Sequence, residues 1–175
     1  MEYPISAVSP NIINALVEKA KSVPKGCFVE VGVYKGGTAS RLTEIAEQEK
    51  RKIFLYDTFE GIPYKDELDS HPVGDFGDSD YETVKNTLPY AKVVKGIFPE
   101  SAVKMPKIAF AHIDVDQYKS YKDCIEYLSP MMVKGGIMWF DDYTLAGART
   151  AILEQFRAEQ LVPASCGHDI YYVVF

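Results

Sequence analysis

The chain of 175 residues has no apolar run long enough to cross a membrane; its apolar stretches around 108–115 and 135–140 are strand-length. Its opening, MEYPISAVSP, has neither the basic nor the apolar portion of an export signal, so a cytoplasmic protein is expected. Cysteine is scarce. Cys27, Cys124 and Cys166 are odd in number and widely spaced, which excludes a disulfide framework or a paired-cysteine metal site and predicts reduced thiols. Positive charge is also short, with 19 basic residues against 25 acidic and a net charge of −6, which argues against a broad nucleic-acid face. Repeats and low-complexity tracts are missing. Hydrophobic residues at 47% and charged residues at 25% leave one globular domain over 1–175 as the expectation.

The acidity is local. Residues 57–82 hold nine acids and one base, Lys65, for a net of −8, so the rest of the chain is +2. Gly61, Pro63, Pro72, Gly74 and Gly77 punctuate the same stretch, which reads as a loop over about 58–80. A loop this long within a compact domain is expected to be a lid beside a ligand site, although most of its carboxylates need only be solvated.

Around that loop, helices alternate with short apolar strands. Ser9-Pro10 starts a helix, with Ser9 as a capping hydroxyl, and Pro24-Lys25-Gly26 ends it. Strands follow at Cys27–Val31, Lys52–Tyr56, Ala91–Lys95, Ile108–Ile113 and Gly136–Phe140. Helices are expected near 38–49, 81–88, 120–128 and 148–160. Continuous apolar strands separated by helices predict a parallel sheet covered on both faces. Two last strands, near Val162 and at 170–175, are too close for a crossover helix and must pair antiparallel at one edge. The fold class is a doubly wound, Rossmann-like α/β sheet.

In such sheets ligands sit beyond the carboxyl ends of the strands, where strand order reverses. Glu30 ends the first strand, and Gly32, Gly36 and Gly37 shape the turn into the next helix, where Thr38 adds a hydroxyl. Asp57 ends the second strand, 25 residues after Gly32, and is placed to accept both ribose hydroxyls of a nucleoside. A dinucleotide fingerprint requires a second glycine where this chain has Tyr34. Glu30 suits an ammonium group better than a phosphate. The ligand that satisfies both constraints is S-adenosylmethionine.

A second constellation is Asp114-Val115-Asp116 after the fourth strand and Asp141-Asp142 after the fifth. If those strands are neighbours, the carboxylates converge, and a cation must join them or one must stay protonated. Hard oxygen ligands suit Mg²⁺, with Mn²⁺ as a substitute. The alternative is that Asp142 caps the following helix and Asp116 faces solvent. His112 is expected to be a core histidine bonded to backbone, His71 a surface residue of the acidic loop, and His168 carries no signal. Tyr118, Tyr121 and Tyr143 flank the acids as pocket or packing residues.

The segments FVEVGVYKGGTA, DTFEGIP, VKGIFPES, AHIDVDQYKSY and GGIMWFDDYTLAGA together resemble the macrocin O-methyltransferase family of class I S-adenosylmethionine-dependent enzymes. The blocks run from about Pro24 to Glu154, and the DVDxY…GG…DDY combination is the specific part. The pattern is also similar to catechol O-methyltransferase. By position, the resemblance implies metal ligation by Asp114, Asp141 and Asp142. It implies cofactor contacts at Gly32, Tyr34, Gly36, Thr38 and Asp57, with Gly96 to Phe98 near the adenine. Catechol-type enzymes carry a lysine where this chain has Gln117, which leaves Asp114 or Asp116 as the catalytic base, ahead of His112. Family members that act on antibiotic sugars have longer N-terminal segments, so the acceptor does not carry over.

The function this implies is Mg²⁺-dependent methyl transfer from S-adenosylmethionine to a hydroxyl of a small molecule, a sugar or other vicinal diol. The alternatives are a catalytically silent binding module and, against Tyr34 and the acid cluster, a nicotinamide-dependent oxidoreductase. The expected partner is the small-molecule acceptor, with neither nucleic acid nor membrane. A homodimer is compatible with the sequence, which does not fix subunit number.

Overall fold

The computed structural model describes residues 4–166 and 169–175, so His168 lies outside the described residues. Among the described residues, seven strands form one sheet: β1 (Cys27–Val31), β2 (Ile53–Asp57), β3 (Lys92–Lys95), β4 (Ile108–Ile113), β5 (Met132–Phe140), β6 (Val162–Pro163) and β7 (Tyr171–Val174). Their order is β3-β2-β1-β4-β5-β7-β6, parallel through β5 and antiparallel in the β5–β7 and β7–β6 pairs. The chain leaves β1 toward one edge and returns through β4 toward the other. The order therefore reverses between β1 and β4.

Helices α1 (Pro10–Ser22), α2 (Gly37–Gln48), α3 (Tyr81–Thr87), α4 (Tyr118–Leu128) and α5 (Ala146–Gln155) cover the sheet. Side chains alternate along each strand. Phe28, Phe110 and Trp139 pack with α1 and α2, while Val29, Ala111 and Met138 pack with α4 and α5. Both faces are buried, which is why the central strands are continuous apolar runs rather than alternating ones. Among the described residues, no helix is long and apolar enough to cross a membrane.

Several boundaries depart from the sequence reading. β5 begins at Met132, before the Gly135-Gly136 pair, and meets β4 with an irregular register between Ile108 and Phe110. α5 stops at Gln155 because Phe156 turns inward and is buried; residues 158–160 form a separate 3-10 turn. Ser9 is the N-cap of α1 by position, but its hydroxyl makes no capping bond. α4 starts two residues early, at Tyr118, because the Asp69 carboxylate accepts its first N–H at 2.8 Å.

That bond belongs to a wider attachment of the acidic loop, which has no regular structure yet packs on the body. Asp69 is buried and also accepts the Asp66 N–H at 2.7 Å. The Gln117 amide donates to the Tyr64 carbonyl. Ile62 N–H donates to the Asp75 carbonyl, and Gly74 N–H donates to the Ile62 carbonyl, which closes the loop on itself. Asp69→Ala removes two charge-assisted bonds and is expected to loosen the loop by about 2 kcal/mol. Hydrogen exchange should then speed up over 58–80 while the β1 and β4 amides keep their protection.

Candidate active site

Each strand end at the reversal passes its ladder one residue further. Gly32 N–H donates to the Tyr56 carbonyl, Gly96 N–H to Asp57, Asp114 N–H to Val31 and Asp141 N–H to Ile113, at 2.9 to 3.1 Å. This aligns Gly32, Asp57, Gly96, Asp114 and Asp141 along the carboxyl edge. Above them lies a cavity of about 400 Å³. Of the residues singled out in the sequence, Gly32, Tyr34, Asp57, Gly96, Phe98, Asp114, Asp116, Asp141 and Asp142 line it.

Glu30, Gly36 and Thr38 are not among the residues that line the cavity. Gly36 is the N-cap of α2, and Ser6 packs on Gly37 at the helix start. Glu30 points into the α1–α2 side of the sheet and is fully buried. It accepts from the Thr38 hydroxyl and contacts His112 Nδ1 at 3.0 Å, leaving Oε2 without a partner. His112 is therefore bonded to a carboxylate rather than to backbone. Its Nε2 lies 3.6 Å from Asp141 Oδ1. Burial opposes a charge on the ring, but Asp141 and Glu30 on either side outweigh it and hold its pKa well above the usual value.

Asp57 is more occupied than expected. Its Oδ2 accepts the Val33 and Tyr34 N–H groups at 2.8 Å each, and Oδ1 accepts the Phe59 N–H at 2.6 Å. A carboxylate has roughly four acceptor positions, so about one stays open toward the cavity. Asp57 is thus first the clamp that shapes the glycine turn. Phe98 stacks edge-on with Tyr56 and Tyr127, its ring forming a wall near Gly96.

The four aspartates are arranged by Tyr121 and by one strained turn. β4 and β5 are neighbours in parallel register, Ile113 beside Phe140, so Asp114 and Asp141 emerge side by side. Asp114, Asp141 and Asp142 each offer an oxygen within 4.8 Å of the others. Asp142 does not cap α5, whose N-cap is Leu145. Its Oδ2 instead accepts the Asp116 N–H at 2.9 Å, which holds Asp116 at a positive φ of 61°. The buried Tyr121 hydroxyl lies 2.9 Å from the same oxygen and 2.8 Å from the Ile113 carbonyl, and accepts the Asp142 N–H at 3.2 Å. Tyr121 is a buried support for the site. Tyr143 packs on Tyr171, and the Tyr118 hydroxyl donates to Glu154.

Electrostatics there disfavour bare charge. Burial, then repulsion from Asp142 and Asp141, raises the Asp114 pKa well above the carboxylate range. Burial and repulsion from Asp116 and Asp141 raise Asp142 to about 8. Asp116 is raised to about 6 by burial, with His71 partly offsetting it. Asp141 Oδ1 has no hydrogen-bond partner. Three hard oxygen donors, one of them orphaned, fit a small divalent cation.

His71 is not a plain surface residue. Its Nδ1 lies 3.1 Å from Asp75 Oδ2, its Nε2 3.8 Å from Asp116 Oδ1, and its ring packs against Phe76. Phe76 in turn meets Tyr34 edge-on at 5.7 Å. The loop therefore forms part of the cavity wall through Gly61, Ile62, Pro63 and Phe76, and residues 7–9 with Ile12 form another part. Gln117, at the position of the catechol-type lysine, is fully buried and turned to the loop backbone.

Known proteins resemble this chain in sequence and in fold. A curated relative, the 8-demethyl-8-(2,3-dimethoxy-alpha-L-rhamnosyl)-tetracenomycin-C 4'-O-methyltransferase of Streptomyces olivaceus, is 26% identical over 154 residues, covering 76% of this chain. The chain spans 58% of that relative's length. In fold the chain is similar to the O-methyltransferase NovP, with a TM-score of 0.82 at 20% identity, covering 97% of this chain and 81% of that one. It is also similar to the calicheamicin methyltransferase CalS11, with a TM-score of 0.77 at 20% identity, covering 94% and 77%. The family model for macrocin-O-methyltransferase (TylF) matches residues 11–173, so the chain belongs to the TylF macrocin-O-methyltransferase family.

Proposed function

We propose that this protein is a cytoplasmic enzyme that transfers a methyl group from S-adenosylmethionine to a hydroxyl of a small polyhydroxylated acceptor, with Mg²⁺ at the aspartate cluster. The observation that carries this reading is the convergence of Asp114, Asp141 and Asp142 in the same cavity as the glycine turn at Gly32 and the Asp57 clamp. The curated relative is named as an O-methyltransferase acting on a rhamnosyl compound, which supports a sugar acceptor.

Asp114, Asp141 and Asp142 would hold the divalent ion, which supplies Lewis acidity that lowers the pKa of an acceptor hydroxyl. The remaining work falls to the chain itself. The Asp57 clamp and the backbone at Gly96 hold the nucleoside. Asp116, at the cavity wall and fixed by the Asp142 bond, takes the hydroxyl proton. The acceptor oxygen then displaces the sulfonium sulfur in line at the methyl carbon. A C–O bond forms, the C–S bond breaks and S-adenosylhomocysteine leaves. The acidic loop and residues 7–9 exclude water and hold the two reactants aligned, which supplies most of the remaining acceleration.

Labelled methyl transfer to a panel of glycosides and catechols is expected to occur with Mg²⁺ and to stop with chelator. Transfer unaffected by chelation would contradict the metal assignment, and turnover of any acceptor would exclude the silent-module alternative.

A pH effect follows from the raised carboxyl groups. In metal-free protein the folded state keeps protons that the unfolded chain releases near pH 4. The folded state therefore binds more protons, and stability falls as pH rises through about 6 for Asp116 and about 8 for Asp142. Chelated protein should melt at lower temperature as pH climbs from about 5 to about 8. Added Mg²⁺ should raise the melting temperature more at the upper end, because ion binding releases those protons. A Mg²⁺ effect that shrinks with rising pH would contradict the assignment.

A further inference from the structure

We propose that His112, braced by Glu30, is the positioning residue that holds Asp141 toward the divalent ion. The inference rests on the metal reading of the aspartate cluster and extends it to two residues outside the ligand set.

The ligands are not fixed alike. Asp142 Oδ2 accepts the Asp116 N–H and lies 2.9 Å from the Tyr121 hydroxyl, so its carboxylate is oriented by the protein. Asp141 Oδ1 has no hydrogen-bond partner, and neither has His112 Nε2. These two orphaned atoms face each other at 3.6 Å, with the imidazole fully buried and the carboxylate 12% exposed. What Tyr121 does for Asp142, His112 is placed to do for Asp141.

The brace is built across three strands. Register puts Glu30 of β1 beside His112 of β4, and His112 beside Trp139 of β5. Asp141 follows Trp139 by two residues, so strand alternation turns it to the same face of the sheet. Glu30 accepts the hydroxyl of Thr38, from the first turn of α2, and its Oε1 lies 3.0 Å from His112 Nδ1. One ring nitrogen is thereby held, which aims the other at Asp141. Packing alone does not call for this arrangement. Taking ionisable groups out of water is costly, and apolar side chains of the same volume would fill the space as well. A carboxylate that binds a metal is commonly oriented by a hydrogen-bonding group behind it, and removing that group weakens metal binding by about 10–100-fold.

The test is calorimetric titration of metal-free protein with Mn²⁺, and separately with S-adenosylhomocysteine, in five proteins. These are the wild type, His112→Asn, His112→Gln, Glu30→Met and Phe110→Leu. An Asn amide reaches about as far as Nδ1 and so meets Glu30 alone; a Gln amide reaches the place of Nε2 and meets Asp141. Both lack the ring and its charge. His112→Asn is expected to weaken Mn²⁺ by about 10–100-fold, and His112→Gln to recover to within about fivefold of wild type. Glu30→Met fills the space without an acceptor and should weaken Mn²⁺ about tenfold. S-adenosylhomocysteine affinity should stay within about threefold throughout. Phe110→Leu lies on the same strand and face, so it should lower the melting temperature and leave Mn²⁺ affinity unchanged. Unchanged Mn²⁺ affinity in His112→Asn or Glu30→Met, or equal weakening by Asn and Gln, overturns the proposal. So does a Phe110→Leu loss as large as that of His112→Asn, which would make the effect one of packing. The wild-type arm separates the two readings, because failure to bind Mn²⁺ there overturns the metal assignment itself.

Discussion

Asp141→Ala should lower methyl transfer by about three powers of ten and leave S-adenosylhomocysteine affinity within about threefold. Its carboxylate is one of three that would hold the ion, and loss of Lewis-acid stabilisation is worth several kcal/mol, at about 1.4 kcal/mol per tenfold in rate. The nucleoside contacts proposed at Asp57 and Gly96 stand at the ends of β2 and β3 and are untouched. A second role is separable, because Asp141 also faces His112. Asp141→Asn keeps an oxygen facing the imidazole but loses the charge. Both variants should be inactive if the carboxylate binds the ion; recovery of most activity in the Asn variant would mean that Asp141 works by holding His112. Single-turnover rates and calorimetry on the two variants give the answer, and equal loss of rate and nucleoside affinity would contradict the division between the two halves of the site.

Gly32→Ala is expected to be the most damaging single-methyl change at the site. Gly32 sits at φ +89°, and a Cβ there would overlap the Asp114 carbonyl, a backbone atom held in the β1–β4 ladder. Neither side can yield without separating the central strands. The left-handed conformation alone costs about 1–2 kcal/mol for a residue with a Cβ. With the overlap, the expected loss is about 4 kcal/mol or more, in the range reserved for disrupted cores. At about 2–4 °C per kcal/mol for a chain of this size, the melting temperature should fall by roughly 10 °C. Gly74→Ala isolates the backbone cost, since Gly74 has φ +92° but open space around its missing side chain. Its loss should stay near the smaller figure. Equal melting temperatures for the two variants would show that the strand ends can move apart.

The strand ends were legible because each central strand is an apolar run that stops at a polar residue or glycine: CFVEV before Gly32, IFLY before Asp57, IAFAHI before Asp114 and GIMWF before Asp141. That local contrast fixes both the sheet and the edge on which its acids stand. Cross-strand register is not local. Glu30 and His112 are neighbours only because β1 and β4 pair in one register, so a histidine bracketed by two carboxylates could not be read from either strand. The loop hid more. Asp69 is buried and Asp66 is exposed, yet both sit in the same polar stretch, since what buries Asp69 is the start of α4, 49 residues away. His71, Asp75 and Gln117 were obscured for the same reason. Strand alternation turns Glu30 to the α1–α2 face, where it meets Thr38.

The most direct measurement is the anomalous difference map of crystals soaked with S-adenosylhomocysteine and Mn²⁺. One manganese peak is expected among Asp114, Asp141 and Asp142, at about 2.1–2.2 Å from the carboxylate oxygens, with the nucleoside between the Gly32 turn and Phe98. Manganese bound elsewhere, or the nucleoside missing from that turn while the three carboxylates stay empty, would contradict the assignment.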